Sequence, residues 1–319
     1  GSYTNGSIHS PMCGTCRMDA RQGWVLAPLV AAALWGGMYV VSKWGFAAVP
    51  PVTLVFLRFA VGAAVLLAAV RVVYPSRRFS GRDLYDFAVL GVWIAISMTT
   101  QFVGTDLTTA SEGALITVLT PVFTFVLGIA RLGESATPRN TLGLVVALAG
   151  TVVVVAGQYD LAALGAGSVL GIGLLVVASL TWAGYTVWGA PLIRKYSALE
   201  TATYSTAVAV PLVAPGVVVE WHVQDVTLSA IPVTVPIVAA VGYLGVLSTA
   251  LAWYCWYKGL EFVAAGTVAV FFFAQPIVGT ALGAVFLGES LGPGFVIGGL
   301  VMAGGVYLVS TDETTTIGD

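Results

Sequence analysis

Four aromatic side chains carry the first chemical hint in this chain. Trp35 and Tyr39 stand four residues apart, and Trp182 and Tyr185 three apart. Such spacings put both rings of a pair on one face of a helix. Gly36, Gly37 and Gly184 lie between them and allow a second backbone to approach closely. Two such faces brought together would line a cavity with rings. Rings of this kind stack on planar solutes and attract a cation by about 0.5–2 kcal/mol. The competing interpretations are plain packing and an interfacial aromatic belt. The cavity is favoured because the pairs fall in corresponding parts of the chain.

Pro121 and Pro276 each interrupt a long apolar run. Proline removes one helical hydrogen bond and clashes with the carbonyl four residues earlier. The freed carbonyls near Thr117 and Phe272 then need partners. A polar solute would serve, and so would a neighbouring hydroxyl. Thr120 and Gln275 offer polar groups one residue before each proline. Gln101 closes a polar cluster with Ser97, Thr99 and Thr100. Trp253 belongs to an aromatic run with Tyr254, Trp256 and Tyr257. Either group could line a path or simply glue helices together.

Arg58 and Lys43 are the basic residues that fall in or beside apolar segments. An intramembrane charge is expensive and raises a functional expectation. Arg58 is only seven residues from Pro51, however, so its long stem is expected to snorkel to the outer interface, and Lys43 likewise. Glu134 and Glu289 read as helix-end or gate contacts, and Asp106, Glu112 and Glu261 sit at predicted edges. With no acid clearly at mid-depth, no process here is expected to need a pH gradient.

Catalytic sets are missing: the chain has no phosphate-binding P-loop, no G-x-S-x-G and no HExxH. An enzyme is not expected, nor a cofactor or a metal. Cys13 and Cys16 have metal or redox spacing but no further ligands nearby, so an incidental pair is expected. Cys255 reads as a packing residue.

Composition sets the elements that must position these groups. The chain is 58% hydrophobic and 9% charged, against roughly 25% charged in soluble domains. Lipid is therefore its main solvent, and only helices or a closed barrel can span lipid. The apolar runs are continuous rather than alternating, so helices are expected. Ten runs approach the roughly 20 residues a span needs: 24–42, 51–70, 87–105, 113–130, 141–157, 167–193, 201–219, 235–257, 262–287 and 293–309.

The runs repeat. TPVFTFVLGIARLGES from Thr120 and QPIVGTALGAVFLGES from Gln275 share Pro, Leu-Gly and Leu-Gly-Glu-Ser at an offset of 155. The register continues without a gap, with Gly104 falling on Gly259, Gly143 on Gly298 and Gly150 on Gly305. Five spans per half is an odd number, so the second half must enter the membrane upside down. With a cytoplasmic N-terminus, 11 of the 13 basic residues fall in inside connections, which places both termini in the cytoplasm.

The expected fold is thus an all-α membrane protein of ten transmembrane helices, arranged as two inverted five-helix repeats. Residues 18–160 form the first repeat and 161–310 the second. Residues 1–17 are set apart as a disordered extension or expression remnant, and 311–319 as a polar tail.

Ala33-Leu34-Trp35-Gly36, Leu57-Arg58-Phe59 and proline followed by Leu-Gly-Glu in the fourth and ninth spans resemble the EamA-like members of the drug/metabolite transporter superfamily. The resemblance covers essentially all of residues 24–310. It implies a central cavity lined mainly by helices one, three, four, six, eight and nine, and export of small metabolites such as amino acids. The four-helix cousins of that family couple protons through a glutamate in their first helix. No acid stands in the first span here.

The expected function is secondary transport of small polar metabolites across the plasma membrane, by alternating access. The expected partners are a small-molecule substrate and the bilayer, with no nucleic acid. Export of aromatic or cationic compounds and a passive channel are the rivals. Substrate contacts are assigned to Trp35, Tyr39, Gln101, Thr120, Trp182, Tyr185, Trp253 and Gln275.

Overall fold

A computed structural model describes residues 24–108, 116–158, 169–287 and 291–311. Among them there is no β-strand. The helices are α1 Ala27–Phe46, α2 Pro51–Val73, α3 Gly81–Asp106, α4 Leu119–Leu127, α5 Pro138–Gln158, α6 Val169–Lys195, α7 Ala198–Gln224, α8 Val235–Leu260, α9 Ala265–Val270, α10 Ala274–Leu287 and α11 Pro293–Ser310. Six of them, α2, α3, α5, α6, α7 and α8, are long and apolar enough to cross a membrane. Ala27–Met38, Leu119–Leu132, Ala265–Gly279 and Pro293–Val309 are shorter apolar stretches. Cys13, Cys16, Glu112 and Glu289 lie outside the described residues.

Local chemistry moves two boundaries from their expected places. The third helix starts at Gly81, not near residue 87, because Ser80 and Asp83 form a reciprocal cap. The Asp83 amide donates to Ser80 Oγ (3.2 Å) and the Ser80 amide to Asp83 Oδ2 (3.3 Å). The single run expected over 262–287 is broken into α9, a 3₁₀ turn at Phe271–Phe273, and α10. Pro276 cannot donate to the Phe272 carbonyl, so regular α-hydrogen bonding lapses just ahead of it. Pro276 is the third residue of α10 and Pro121 the third of α4. In the first turn of a helix the missing N–H leaves no partner wanting.

Helices α5 and α11 pack along one another through glycines. A Cβ on Gly150 would lie 2.6 Å from the Gly298 carbonyl oxygen, and one on Gly305 would lie 2.6 Å from that of Gly143. Gly143 and Gly298 are repeat equivalents, as are Gly150 and Gly305. Each glycine therefore touches the equivalent of its neighbour, and the two helices run antiparallel. A self-complementary contact of this kind is what a two-fold relation produces. A second close approach sets Gly36 of α1 against Gly279 of α10.

Carboxylates clamp helix starts to other helices. Glu134 accepts from the Ala265 and Gly266 amides at the head of α9 (2.6 and 2.9 Å). Glu220 accepts from the Val52 and Thr53 amides of α2, both at 2.8 Å, and Glu261 accepts from the Ala198 amide of α7 at 2.9 Å. The Leu-Gly-Glu motif explains itself here. Gly133 takes a left-handed conformation (φ 67°), which turns Glu134 back toward α9. Gly128 leaves room for it, since a Cβ there would sit 2.5 Å from Glu134 Oε2.

Crowding the α5–α11 seam should destabilise the fold. Gly150→Val should cost about 1–3 kcal/mol. Gly304→Val on the same α11, where nothing lies within 4 Å, should cost much less. Thermal unfolding of both variants in detergent checks this, and equal melting temperatures would refute the seam.

Candidate functional site

A small, partly open cavity lies where most of the helices converge. Trp35 and Met38 reach it from α1, Arg58 from α2, Met98 and Gln101 from α3, and Thr120 from α4, with Thr117 just ahead of that helix. The facing wall holds Leu175, Ala178, Ser179 and Trp182 of α6, Trp253 of α8, Phe272 of the 3₁₀ turn and Gln275 of α10.

Six sequence candidates therefore meet around one space: Trp35, Gln101, Thr120, Trp182, Trp253 and Gln275. Thr117 and Phe272, four residues before the two prolines, line it too. Tyr185 does not. It is fully buried one turn further along α6, with its ring stacked on Tyr257 at 4.8 Å and its hydroxyl 3.2 Å from Ser205 Oγ. Three residues along a helix advance the chain by about 4.5 Å, which carries Tyr185 behind the cavity rather than into it. The side chains of Tyr39 and Lys43 lie outside the described residues.

Arg58 corrects the expectation of a snorkelling side chain. It is 0% exposed. Its Nε donates to Thr249 Oγ1 at 2.9 Å and its Nη2 to the Ser248 carbonyl at 3.1 Å. Its Nη1 faces only sulfur, at 3.1 Å from Met38 and 3.8 Å from Met98. The guanidinium lies over Phe102 (5.4 Å) and Trp253 (5.9 Å). Among the described residues it has no ion-pair partner.

The reason for the inward turn is local. Gly62, one helical turn beyond Arg58, presses α2 onto Thr249, where a Cβ would approach the Thr249 methyl to 2.6 Å. The middle of α8, Tyr243–Leu251, is wound as a π-helix. Within that stretch the Ser248 carbonyl accepts from Trp35 Nε1 at 2.9 Å as well as from Arg58. Gly62 on the Arg58 face was the one sequence signal that this face is packed against protein.

Three polar groups in the cavity wall have no hydrogen-bond partner among the described residues: Trp182 Nε1, Trp253 Nε1 and Gln275 Oε1. Their residues are 5%, 1% and 3% exposed. Buried polar atoms are normally satisfied, and leaving one unpaired costs about 1–3 kcal/mol. The wall thus presents two indole donors, an amide acceptor and a cation with an underused edge. The described carboxylates Glu134, Glu220 and Glu261 are committed to helix starts.

The cavity has an aromatic floor. Trp35 meets Trp182 edge-on at 5.0 Å and Trp256 at 5.3 Å. Trp256 Nε1 donates to Thr186 Oγ1 (3.1 Å), and the Tyr257 hydroxyl donates to the Tyr185 carbonyl (3.0 Å). Along α6 these residues follow Trp182 toward Arg194 and Lys195, so the floor lies on the basic-residue side. Met38, Met98, Leu175 and Ser179 were not singled out from sequence, since single apolar or hydroxyl residues in apolar helices carry no distinguishing pattern.

Comparison with known proteins gives these features a lineage. The model of the EamA-like transporter family matches twice, over residues 22–156 and 169–311. An uncharacterized transporter of Archaeoglobus fulgidus is 28% identical over 283 residues, 88% of this chain and 94% of that protein. A probable terminal-alkyne amino-acid exporter of Streptantibioticus cattleyicolor is 28% identical over 257 residues, 78% of this chain and 80% of that protein. A crystal structure at 22% identity shares the fold, with a TM-score of 0.73 over 90% of this chain and 96% of that one. The chain belongs to the EamA-like transporter family, and is a multi-pass membrane transporter.

The two kinds of tryptophan should separate experimentally. Trp256→Phe removes a paired N–H and should cost about 1 kcal/mol of stability. Trp182→Phe removes an unpaired one and should spare stability while weakening solute binding several-fold. Melting temperature and intrinsic fluorescence titration read the two effects. A Trp182→Phe variant that melts early but binds normally would make that ring a packing element.

Proposed function

Proceeding from that family membership, we propose that the protein exports amino acids or closely related small polar metabolites by alternating access across the plasma membrane. The observation that carries this proposal is the cavity wall, where buried indole N–H groups and an amide oxygen stand unpartnered among rings. An apolar solute would leave them unpaired, and a solute with both polar ends and some apolar body would engage them. The amino-acid exporter named among the relatives supports the same class.

The proposed architecture is ten spans in two inverted repeats, with α9 and α10 together forming the ninth. The antiparallel glycine seam of α5 and α11 supports the inversion. The matched helix starts of α4 and α10, with Thr120 and Gln275 at equivalent positions on the cavity, support a site at the repeat interface. With both termini cytoplasmic, the aromatic floor is the closed cytoplasmic gate. Its repacking would open the cavity to the cell interior. A closed floor argues against a passive channel. The tryptophan walls favour export of aromatic compounds as the second interpretation.

Counter-flow in liposomes tests the transport class. Vesicles preloaded with amino acids should accumulate labelled amino acid at symmetric pH and without ATP, and the panel should include a terminal-alkyne amino acid. Accumulation of quaternary amines in preference to amino acids would favour the second interpretation. Flux that never saturates would mean a channel.

Orientation is tested separately. Cysteines placed at Ser76 and at Asp160 should be labelled by an impermeant reagent from opposite sides, Ser76 from the cytoplasm. Labelling of both from one side would overturn the topology.

A further inference from the structure

We propose that Arg58 is the carboxylate anchor of the cavity, so that a solute must carry a free carboxylate to bind. The proposal rests on the amino-acid reading above and names the group on the solute that this site selects.

A guanidinium has five N–H donors in a planar fork. Here the fork is used unevenly. Nε and Nη2 are held by Thr249 Oγ1 and the Ser248 carbonyl, which fix the plane of the group. Nη1 is left against the thioethers of Met38 and Met98. Thioether sulfur is a weak acceptor, and methionine is flexible enough to withdraw. The edge with the weakest partners is therefore the edge that borders the cavity, since both methionines line it with Arg58 itself.

Charge sharpens the case. A fully buried cation with no ion-pair partner among the described residues is costly in hydrocarbon. Its dipolar partners and the rings of Phe102 and Trp253 offset part of that cost. An arriving carboxylate supplies the missing counter-charge, and charge-assisted bonds of this kind are roughly twice as strong as neutral ones.

Neighbouring groups complete an anion seat. The Trp253 ring lies 5.9 Å from the guanidinium carbon, and Trp253 and Trp182 lie 6.1 Å apart. Both indole N–H groups are unpartnered donors. Gln275 Oε1, a further unpartnered acceptor in the lining, suits an ammonium group. The same cation repels amines that lack a carboxylate, which turns the aromatic walls from a cation trap into a support for the solute's apolar body.

The test needs no variant to begin. Phenylalanine, 3-phenyllactate, phenylalaninamide and phenethylamine are titrated into the purified wild-type protein and followed by intrinsic tryptophan fluorescence. Counter-flow of each is measured in parallel. The two carboxylates should bind, and the amide and the amine should bind at least tenfold more weakly. Arg58→Lys keeps the charge but loses the fork, and should reduce carboxylate binding at least tenfold while retaining a cooperative melt. If the amide binds as tightly as phenylalanine, Arg58 is not the anchor, and amino-acid transport stands without it. If none of the four binds or exchanges, and no amino acid does in the wider panel, the amino-acid reading falls and the anchor with it.

Discussion

Hydrocarbon offers no water to a helix start, and that constraint organises this fold. Each helix begins with amides that lack intrahelical acceptors, and an unmet amide in lipid costs several kcal/mol. The chain meets the demand with carboxylates borrowed from other helices. Glu134 serves α9, Glu220 serves α2 and Glu261 serves α7. Each bond is doubly favourable, because the anion also faces the positive end of a helix dipole. Each also fixes the relative position of two segments far apart in sequence, Glu134 and Ala265 being 131 residues apart.

Spending the acids at helix ends shapes the electrostatics in the middle. The described part of the cavity wall contains one cation, neutral dipoles, rings and sulfur, and no carboxylate. Arg58 can remain there because α2 and α8 approach closely enough at Gly62 and Gly245 for two α8 oxygens to hold its fork. The π-wound stretch of α8 sets this geometry.

Much of this was legible in the residues. The 155-residue register, read from glycines and the Leu-Gly-Glu motif, falls on the α5–α11 seam and on the helix starts of α4 and α10. Glycines mark close approach and prolines mark lapses in hydrogen bonding, both backbone properties that survive without knowledge of the fold. Six cavity residues were legible because large rings and amides are conspicuous in apolar helices. Arg58 was misread because snorkelling depends on distance to the interface and on what the helix packs against, and only the first can be counted from sequence. Tyr185 lies off the cavity because sharing a face with Trp182 does not mean sharing a depth. The π-winding of α8 was not read from its residues, since no residue pattern singles out a π-turn from an α-turn.

The aromatic floor of the cavity is the element that the alternating access proposed above would have to part. The floor consists of rings packed edge to face and tilted against one another, pinned by Trp256–Thr186 and Tyr257–Tyr185 hydrogen bonds. Gly189 lets the Tyr257 hydroxyl close against α6, where a Cβ would meet it at 2.6 Å. Behind that floor, Glu134 ties the π-turn after α4 to the start of α9, and Glu261 ties the end of α8 to the start of α7. Opening this side means parting rings while those carboxylate clamps keep the helix starts satisfied, so whole helices must move together rather than fray. A solute that engages Trp182 and Trp253 touches rings that pack directly on the floor, since Trp182 lies 6.2 Å from Trp256. On the proposed mechanism, binding and gating would share side chains, and occupancy of the cavity would bias the floor without any longer-range relay.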